Sequence, residues 1–451
     1  MSENRKTIIF GGVALVLLIL AIISSPGRIT PEAFQDQGDE FFPAFKDPNE
    51  ATTLEVVEYD AVNGTTKPFK VTFDGSRWTI PSHHNYPADA KERLARTAAG
   101  IIDIKKDEYR TDNVSEHVAC GVVDPLDATA GTAGRGKRVT MRGEGGNVLA
   151  DFIIGHSIEG RPNYSFVRVP GQNRVYVAKV DADLSTRFED WIDTDLLRLE
   201  KRKIQQLVLR DYSINEATGS VDNRDNVVLS KREMGWIANN LSKGQSVDSA
   251  SVDHLLNSLV ALSIVGVRPK PEGLSASLKV RDVEKPLTQA DVTSLQDKGF
   301  YLTRDGQLLS NEGELQIFTA DGLAYTLRFG EVVYGSGLEV SAGTNDESAG
   351  DKKGGENRYL FITVDFNPGY FREPEKPTDT SFVKRPEKEW STADWENKRR
   401  KDEHELWQRK MTEGQQIAAD LSNRFADWYY VISSDSYDKV HLNRAALVVT
   451  R

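Results

Sequence analysis

Sulfur and imidazole are scarce in this chain of 451 residues: one cysteine, four methionines and seven histidines. With Cys120 alone, no intramolecular disulfide and no thiolate metal cluster can form within one chain. His83 and His84 are adjacent, but neighbours do not converge on one ion without further ligands. His117, His156, His254, His404 and His441 follow no zinc spacing, so no metal and no cofactor is expected. Basic charge is also short, with 57 Lys and Arg against 68 Asp and Glu, a net charge of −11. That balance argues against nucleic acid as the main partner, because phosphate binding needs concentrated Lys and Arg. It gives no reason to expect the body to lie on anionic lipid.

One long apolar run is present. It extends from Thr7 to Ile23, interrupted by Gly11 and Gly12, and with Ser24 and Ser25 supplies the roughly 20 residues that cross a hydrocarbon core of about 30 Å. It carries no charge, which inside a bilayer would cost several kcal/mol. Arg5 and Lys6 on its N-terminal flank place that end in the cytoplasm, and Pro26-Gly27 ends the helix. Residues 1–27 are therefore expected to be a single transmembrane anchor in the cell membrane, with the body extracytoplasmic. A cleaved signal peptide is the rival. It needs a shorter run and a small-x-small site, for which Ile22-x-Ser24 is a substitute, and it gives the same topology. No Cys follows the run, so a lipoprotein is not expected.

The remaining roughly 400 residues, enough for two or three domains, have an ordinary globular composition, with the whole chain 39% hydrophobic and 28% charged. Residues 28–50 are rich in Pro, Gly, Asp and Gln and read as a stalk, whose Phe34, Phe41, Phe42 and Phe45 dock on the body or lie at the membrane interface. The body then reads twice through one pattern. In residues 51–200 the strands Leu54–Tyr59 and Phe69–Phe73 lead through Asp74-Gly75 into Arg77–Ile80, a hairpin signal. A helix from Pro87 follows, with Ala90, Leu94, Ala98 and Ile101 on one face. Four more strands and a short helix through Leu184, Phe188 and Trp191 close the copy. In residues 201–451 the same order returns, with Trp236 ending the hairpin and a helix burying Val252, Leu255, Leu256, Leu259 and Leu262. Phe329-Gly330 stands where Ile154-Gly155 stood. The expected class is α+β: two tandem copies of a mainly antiparallel sheet with a packed helix, preceded by one transmembrane helix.

The second copy carries a charged helical insertion at about 368–427. Ser391-Thr392-Ala393-Asp394 resembles a capping box with Asp in place of Glu, and Ile417, Leu421, Phe425 and Trp428 form a stripe that packs on the body. The charged half carries Trp390, Trp395, Arg399, Arg400 and Trp407, which make it the candidate partner surface. The alternative is a solvated helix whose tryptophans cover a local core.

Motifs that look like chemistry fail on context. Gly131-Thr132-Ala133-Gly134-Arg135-Gly136-Lys137 has the spacing of a phosphate-binding loop, but Arg138 stands where Ser or Thr belongs and a strand follows instead of a helix, so no nucleotide is expected. Asp181-x-Asp183 and Asp193-x-Asp195 lack the Gly and terminal Glu of a calcium loop. Gly335-Ser336-Gly337 is not a nucleophile elbow. Cys120 lies in an apolar segment as a small filler; as a nucleophile it would need a base, and His117 is near. No catalytic residue is assigned.

The segment Asn163 to Ala178, with Asn-Tyr-x-Phe-Val-Arg-Val-Pro-Gly and then Val-Tyr-Val-Ala, resembles the bacterial domain of unknown function 4340. Leu184-x-x-x-Phe188-x-x-Trp191 and Asp195-Leu196-Leu197 resemble its end. The resemblance implies a body tethered by an N-terminal helix and a membrane complex with transporter components of the ABC, gliding-motility type; it supplies no catalytic residues. The expected function is a non-enzymatic scaffold or accessory subunit of an envelope complex. The alternatives are an envelope polysaccharide-binding module using Trp78, Trp236 or the insertion's tryptophans, and a hydrolase whose carboxylates are scattered in sequence.

Overall fold

The computed structural model describes residues 12–18, 35–215, 218, 220–280, 287–335 and 356–450. The segment read as the membrane anchor lies outside the described residues except for 12–18, which are helical. Among the described residues no helix is long and apolar enough to cross a membrane. The stretch read as a stalk is described from residue 35, and there Phe41 and Phe45 are buried. Phe41 meets Tyr176 edge-on at 5.4 Å and Phe42 meets Phe152 at 5.5 Å, so this end is part of a folded unit.

Two compact units form, each discontinuous in sequence: Met1–Lys67 with Leu94–Leu184, and Pro68–Arg93 with Ser185–Arg451. In chain order the first half contains β1 (Ala51–Asp60), β2 (Thr65–Phe73), β3 (Trp78–Ile80), β4 (Tyr86–Pro87), α1 (Lys91–Ile102), β5 (Glu108–Thr111), β6 (Lys137–Gly143), β7 (Val148–Ser157), β8 (Tyr164–Arg168) and β9 (Val175–Lys179). The second half contains β10 (Ile204–Asn215), β11 (Ser220–Arg232), β12 (Gly235–Ala238), β13 (Gln245–Val247), α2 (Ser249–Val260), β14 (Gly266–Pro269), α3 (Glu272–Val280), α4 (Gln289–Gln296), β15 (Phe300–Leu302) and β16 (Leu308–Ser310). It ends with β17 (Glu314–Thr319), β18 (Leu323–Tyr334), β19 (Glu356–Phe366), α5 (Thr392–Ala426), β20 (Trp428–Ser433), α6 (Ser434–Val440) and β21 (Val448–Thr450).

The fold is α+β with large antiparallel sheets. In the first unit the strand order β1-β6-β7-β8-β9-β5 has its counterpart in the second unit as β10-β17-β18-β19-β20-β14. The bulges correspond as well: the β7–β8 register slips between Ile154 and Ser157, and the β18–β19 register slips between Phe329 and Val332. At these slips sit Gly155 and Gly330. A Cβ on either would lie 2.2 Å from a backbone carbonyl oxygen, that of Cys120 or that of Lys298. Glycine is required there because main chain crosses the strand at a distance no side chain tolerates.

α1 buries Leu94, Thr97, Ala98 and Ile101, and α2 buries Val252, Leu255, Leu256 and Leu259. The Asp248 carboxylate caps α2 by accepting from the backbone N–H groups of Ala250 and Ser251. α1 begins at Lys91, not at Pro87: Pro87 pairs with Thr79 in β4, where its missing N–H is tolerated at an edge strand.

In the second unit's main sheet, alternation gives β10, β17, β18 and β19 one apolar face. Leu207, Leu209, Leu315, Ile317, Tyr325, Leu327, Phe329, Leu360 and Ile362 are all buried. On the opposite face, register places Arg210 beside Glu314, Glu314 beside Arg328 and Arg328 beside Phe361, four residues in one cross-strand row. The next row is Val208, Gln316, Thr326 and Thr363, all half-buried. A polar, partly covered sheet face is the opening on which a site can be built.

Candidate functional site

Two features of the second unit stand out, a helix surface and a slot. The helix surface is α5 with the strap that precedes it. Ser391 and Asp394 form the expected reciprocal cap: the Asp394 N–H donates to Ser391 Oγ at 3.2 Å, and the Ser391 N–H donates to Asp394 Oδ2 at 2.8 Å. Arg385 adds a 2.7 Å contact to the same carboxylate, and these donors hold its pKa below the usual range. At its other end α5 buries Gly414, Ala418, Leu421 and Phe425. Ile417, read as part of this stripe, is exposed instead; the contact is made through Gly414, where a Cβ would lie 2.3 Å from the Phe366 ring.

The five residues of the candidate partner surface divide. Trp390 is half-buried: its indole N–H donates to the carbonyls of Phe382 (3.0 Å) and Arg385 (3.1 Å), and its ring meets buried Phe382 edge-on at 5.1 Å. The Trp407 indole donates to the Phe371 carbonyl at 3.2 Å. These two tryptophans pin the strap to the helix. Arg400 pairs with Glu396 at 2.8 Å and Glu375 at 3.3 Å, while Arg399 is exposed. Trp395 is 51% exposed, and it heads a line with Leu406 (46%) and Ile417 (41%). These recur every eleventh residue, three helical turns, so they stay on one side of α5 over a length of about 33 Å.

The slot lies over the polar face of the sheet and encloses about 760 Å³. Its roof is mainly leucine: Leu274 and Leu278 from α3, Leu287, Leu295 from α4, and Leu302, Leu308 and Leu309 from the β15–β16 hairpin, with Ser277 and Gln307 beside them. Ser422 and Ala426 of α5 close one side. The floor is the row Arg210, Glu314, Arg328. Arg210 NH1 donates to Glu314 Oε1 at 2.8 Å, and Gln316 donates to the same oxygen at 3.1 Å. Glu314 Oε2 takes the Tyr212 hydroxyl at 3.5 Å, with Arg328 Nε at 3.4 Å. The Glu314 side chain is only 2% exposed and lies between two guanidinium groups, the pairing a buried carboxylate requires. Arg328 also donates from Nε to the Leu308 carbonyl (2.8 Å) and from NH1 to Thr363 Oγ1 (3.1 Å), tying roof to floor. A carboxylate so fully engaged is a binding and structural group, unsuited to abstracting a proton.

Residues 78–277 match the model of the family described as a domain of unknown function, DUF4340. This segment is similar to a DUF4340 domain. No curated protein and no solved structure matches the chain. The DUF4340 segment begins at Trp78 of β3 and ends within α3. It includes Arg210, Leu274 and Ser277 of the slot, whereas the rest of the slot's lining lies beyond it.

Within the DUF4340 segment the sequence motifs that resembled chemistry have structural roles. The Arg135 guanidinium is caged by the carbonyls of Asp124, Pro125, Asp127, Ala130 and Gly131, which organises the glycine-rich loop around a cation of its own. His83 is buried, stacked on Phe188 at 4.6 Å, and burial pushes its pKa down to about 4. His117 shares a 2.8 Å hydrogen bond with the Asn173 carbonyl, and burial raises the pKa of the Cys120 thiol, the opposite of an activated nucleophile. Asp193 pairs with Arg424 (2.9 Å) and Arg198 (3.1 Å), and Asp181 accepts from Asn163 at 2.9 Å. Trp78 packs on Phe73 at 5.4 Å, as an aromatic closing its own hairpin does. Outside the segment, Gly335-Ser336-Gly337 falls beyond the described residues after Gly335.

Proposed function

We propose that this protein is a non-enzymatic accessory subunit: two tandem copies of an α+β module, held behind a single N-terminal membrane helix on the extracytoplasmic side. In this reading the body docks a membrane-embedded partner, of the transporter-associated kind that the family resemblance implies. The outward line Trp395, Leu406 and Ile417 of α5 is the observation that carries it. Three large apolar side chains held on one side of a rigid, capped helix present a strip to a partner helix, while the strap and the opposite face secure the helix to the sheet.

The test is capture of the full-length chain from its own membranes in mild detergent, wild type beside a variant carrying Trp395→Glu, Leu406→Glu and Ile417→Glu. The wild type retains a membrane-protein partner that crosslinks to position 395, and the triple variant loses it. Recovery of the body alone by the wild type, or equal recovery of the same partner by the variant, sinks the proposal.

A further inference from the structure

We propose that the slot binds a single-chain anionic amphiphile, an acyl chain bearing a carboxylate or phosphate head, with the head at Arg210 and Arg328 and the chain beneath the leucine roof. The inference stands apart from the docking face of α5. It begins with unspent donors. Glu314 has both oxygens occupied and accepts nothing further. The guanidinium groups beside it are not spent. Arg210 Nε and NH2, and Arg328 NH2, donate to no protein acceptor among the described residues, and the Arg210 side chain is 41% exposed. These spare donors have no acceptor among the described residues, and the missing partner is an acceptor.

The opposite end sets the orientation. Asp365 lies two residues beyond Thr363 along β19, on the same face, and is exposed at the rim. Its carboxylate acts electrostatically on Arg328, which leaves Arg210 as the principal partner of an anionic head. Between the ends the roof is mainly leucine, with Ser277 and Gln307 its polar side chains, and the leucines suit methylenes. The volume of about 760 Å³ is that of a site for a small ligand. An extended peptide is disfavoured because β10, β17 and β18 are each paired on both sides, leaving no free edge in the floor for a peptide to join.

The experiment uses the full chain in lipid nanodiscs and a diazirine derivative of myristic acid, with the labelled peptides mapped after irradiation. Label is expected in residues 272–310. Competition by excess myristate or by lysophosphatidylglycerol lowers it at least about tenfold, equivalent to about 1.4 kcal/mol. Tetradecanol and tetradecyltrimethylammonium leave it largely intact. Whichever anion competes better identifies the source, free fatty acid or phospholipid head. Two variants guard against simple misfolding: Arg210→Gln, at a half-exposed side chain, removes the head's partner, and Leu302→Trp, at a 38% exposed position, fills the slot. Both are expected to lose the label; Leu302→Trp keeps the wild-type melting profile, while Arg210→Gln, which takes one partner from buried Glu314, is labelled below its own melting transition. Competition by the alcohol equal to that by the acid overturns the proposal, as does label confined to other exposed apolar surface or wild-type labelling in either variant.

Discussion

Lys270 follows β14 and is 5% exposed, the most deeply placed ammonium group among the described residues. Its Nζ lies 3.1 Å from the Phe425 carbonyl at the end of α5 and 3.8 Å from the Phe361 ring centroid. Burial drives its pKa from 10.5 down to about 7, with Asp427 acting weakly in the other direction. A folded-state pKa below the unfolded one means that the unfolded chain holds more protons between about pH 7 and 10.5, so stability rises with pH across that window. Taken alone the shift corresponds to roughly 3 kcal/mol gained between pH 6.5 and 9.5. The ring and the helix C-terminus favour the charged form and return about 2 kcal/mol, so the observable gain lies between about 1 and 3 kcal/mol. Lys270→Met removes the ionisation while Phe425 keeps the Asp427 N–H as a donor to its carbonyl. The assay is urea unfolding at pH 6.5 and 9.5, read by proteolytic loss of peptides from residues 266–280 and 428–433. That readout follows this unit by itself, because a chain with two units does not unfold in two states. The variant is expected to stand highest relative to wild type at pH 6.5, with its advantage shrinking by pH 9.5. If the ammonium were instead a net stabilising charge, Lys270→Met would lose most at pH 6.5. That result, or a difference unchanged between the two pH values, refutes the reasoning.

Gly155→Ala and Gly330→Ala should each destabilise their own unit by about 1–3 kcal/mol, because the new methyl meets a carbonyl oxygen at 2.2 Å; thermal unfolding of the two single variants checks this. His83, with its pKa pushed down from 6.5 to about 4, takes up its proton first in the unfolded chain, so stability falls as pH drops from 6.5 to 4, by roughly 3 kcal/mol. His83→Phe should flatten that acid limb in urea titrations at pH 4.5 and 7. Asp394→Ala removes the carboxylate arm of the α5 cap and the Arg385 pair, and leaves the backbone N–H of residue 394 on Ser391 Oγ. It should cost about 1 kcal/mol or more and speed proteolysis within residues 372–400, read by limited digestion.

What the sequence made legible was whatever is written locally. The α2 stripe and the Ser391 cap each depend on residues within a few positions of one another, and each stands in the structure as read; the Gly155/Gly330 correspondence was legible from the strands that flank each glycine. Errors arose where tertiary contact overrode a local preference. Pro87 looked like a first helical turn but pairs in β4, and Ile417 looked like core although Gly414 and Ala418 let α5 approach more closely than a large side chain allows. Of the candidate surface, Trp390 and Trp407 are occupied with the strap. Leu406 was passed over because an eleven-residue spacing does not stand out within two turns of helix.

The slot was invisible for a different reason, and that reason bears on what the second copy is for. Arg210, Glu314 and Arg328 come from three strands, and in each strand the residue reads as an ordinary outward-facing position; only register joins them. The roof comes largely from the link between β14 and β17, residues 270–313, and one side from the link between β19 and β20, residues 367–427. The corresponding links of the first copy are residues 112–136 and 169–174. The former is organised around the caged Arg135, and the latter is a short turn between β8 and β9. The two sheets share a strand order, and the longer links of the second unit cover a polar row of its sheet. In the first unit the comparable charge, Arg138, is already satisfied by Asp151 (2.7 Å) and Asp124 (2.9 Å). In the second unit Arg210 keeps donors that no protein acceptor takes up among the described residues. On the proposal of an anionic amphiphile, spare donors beneath an apolar roof would place ligand binding in the second unit, mostly beyond the DUF4340 match.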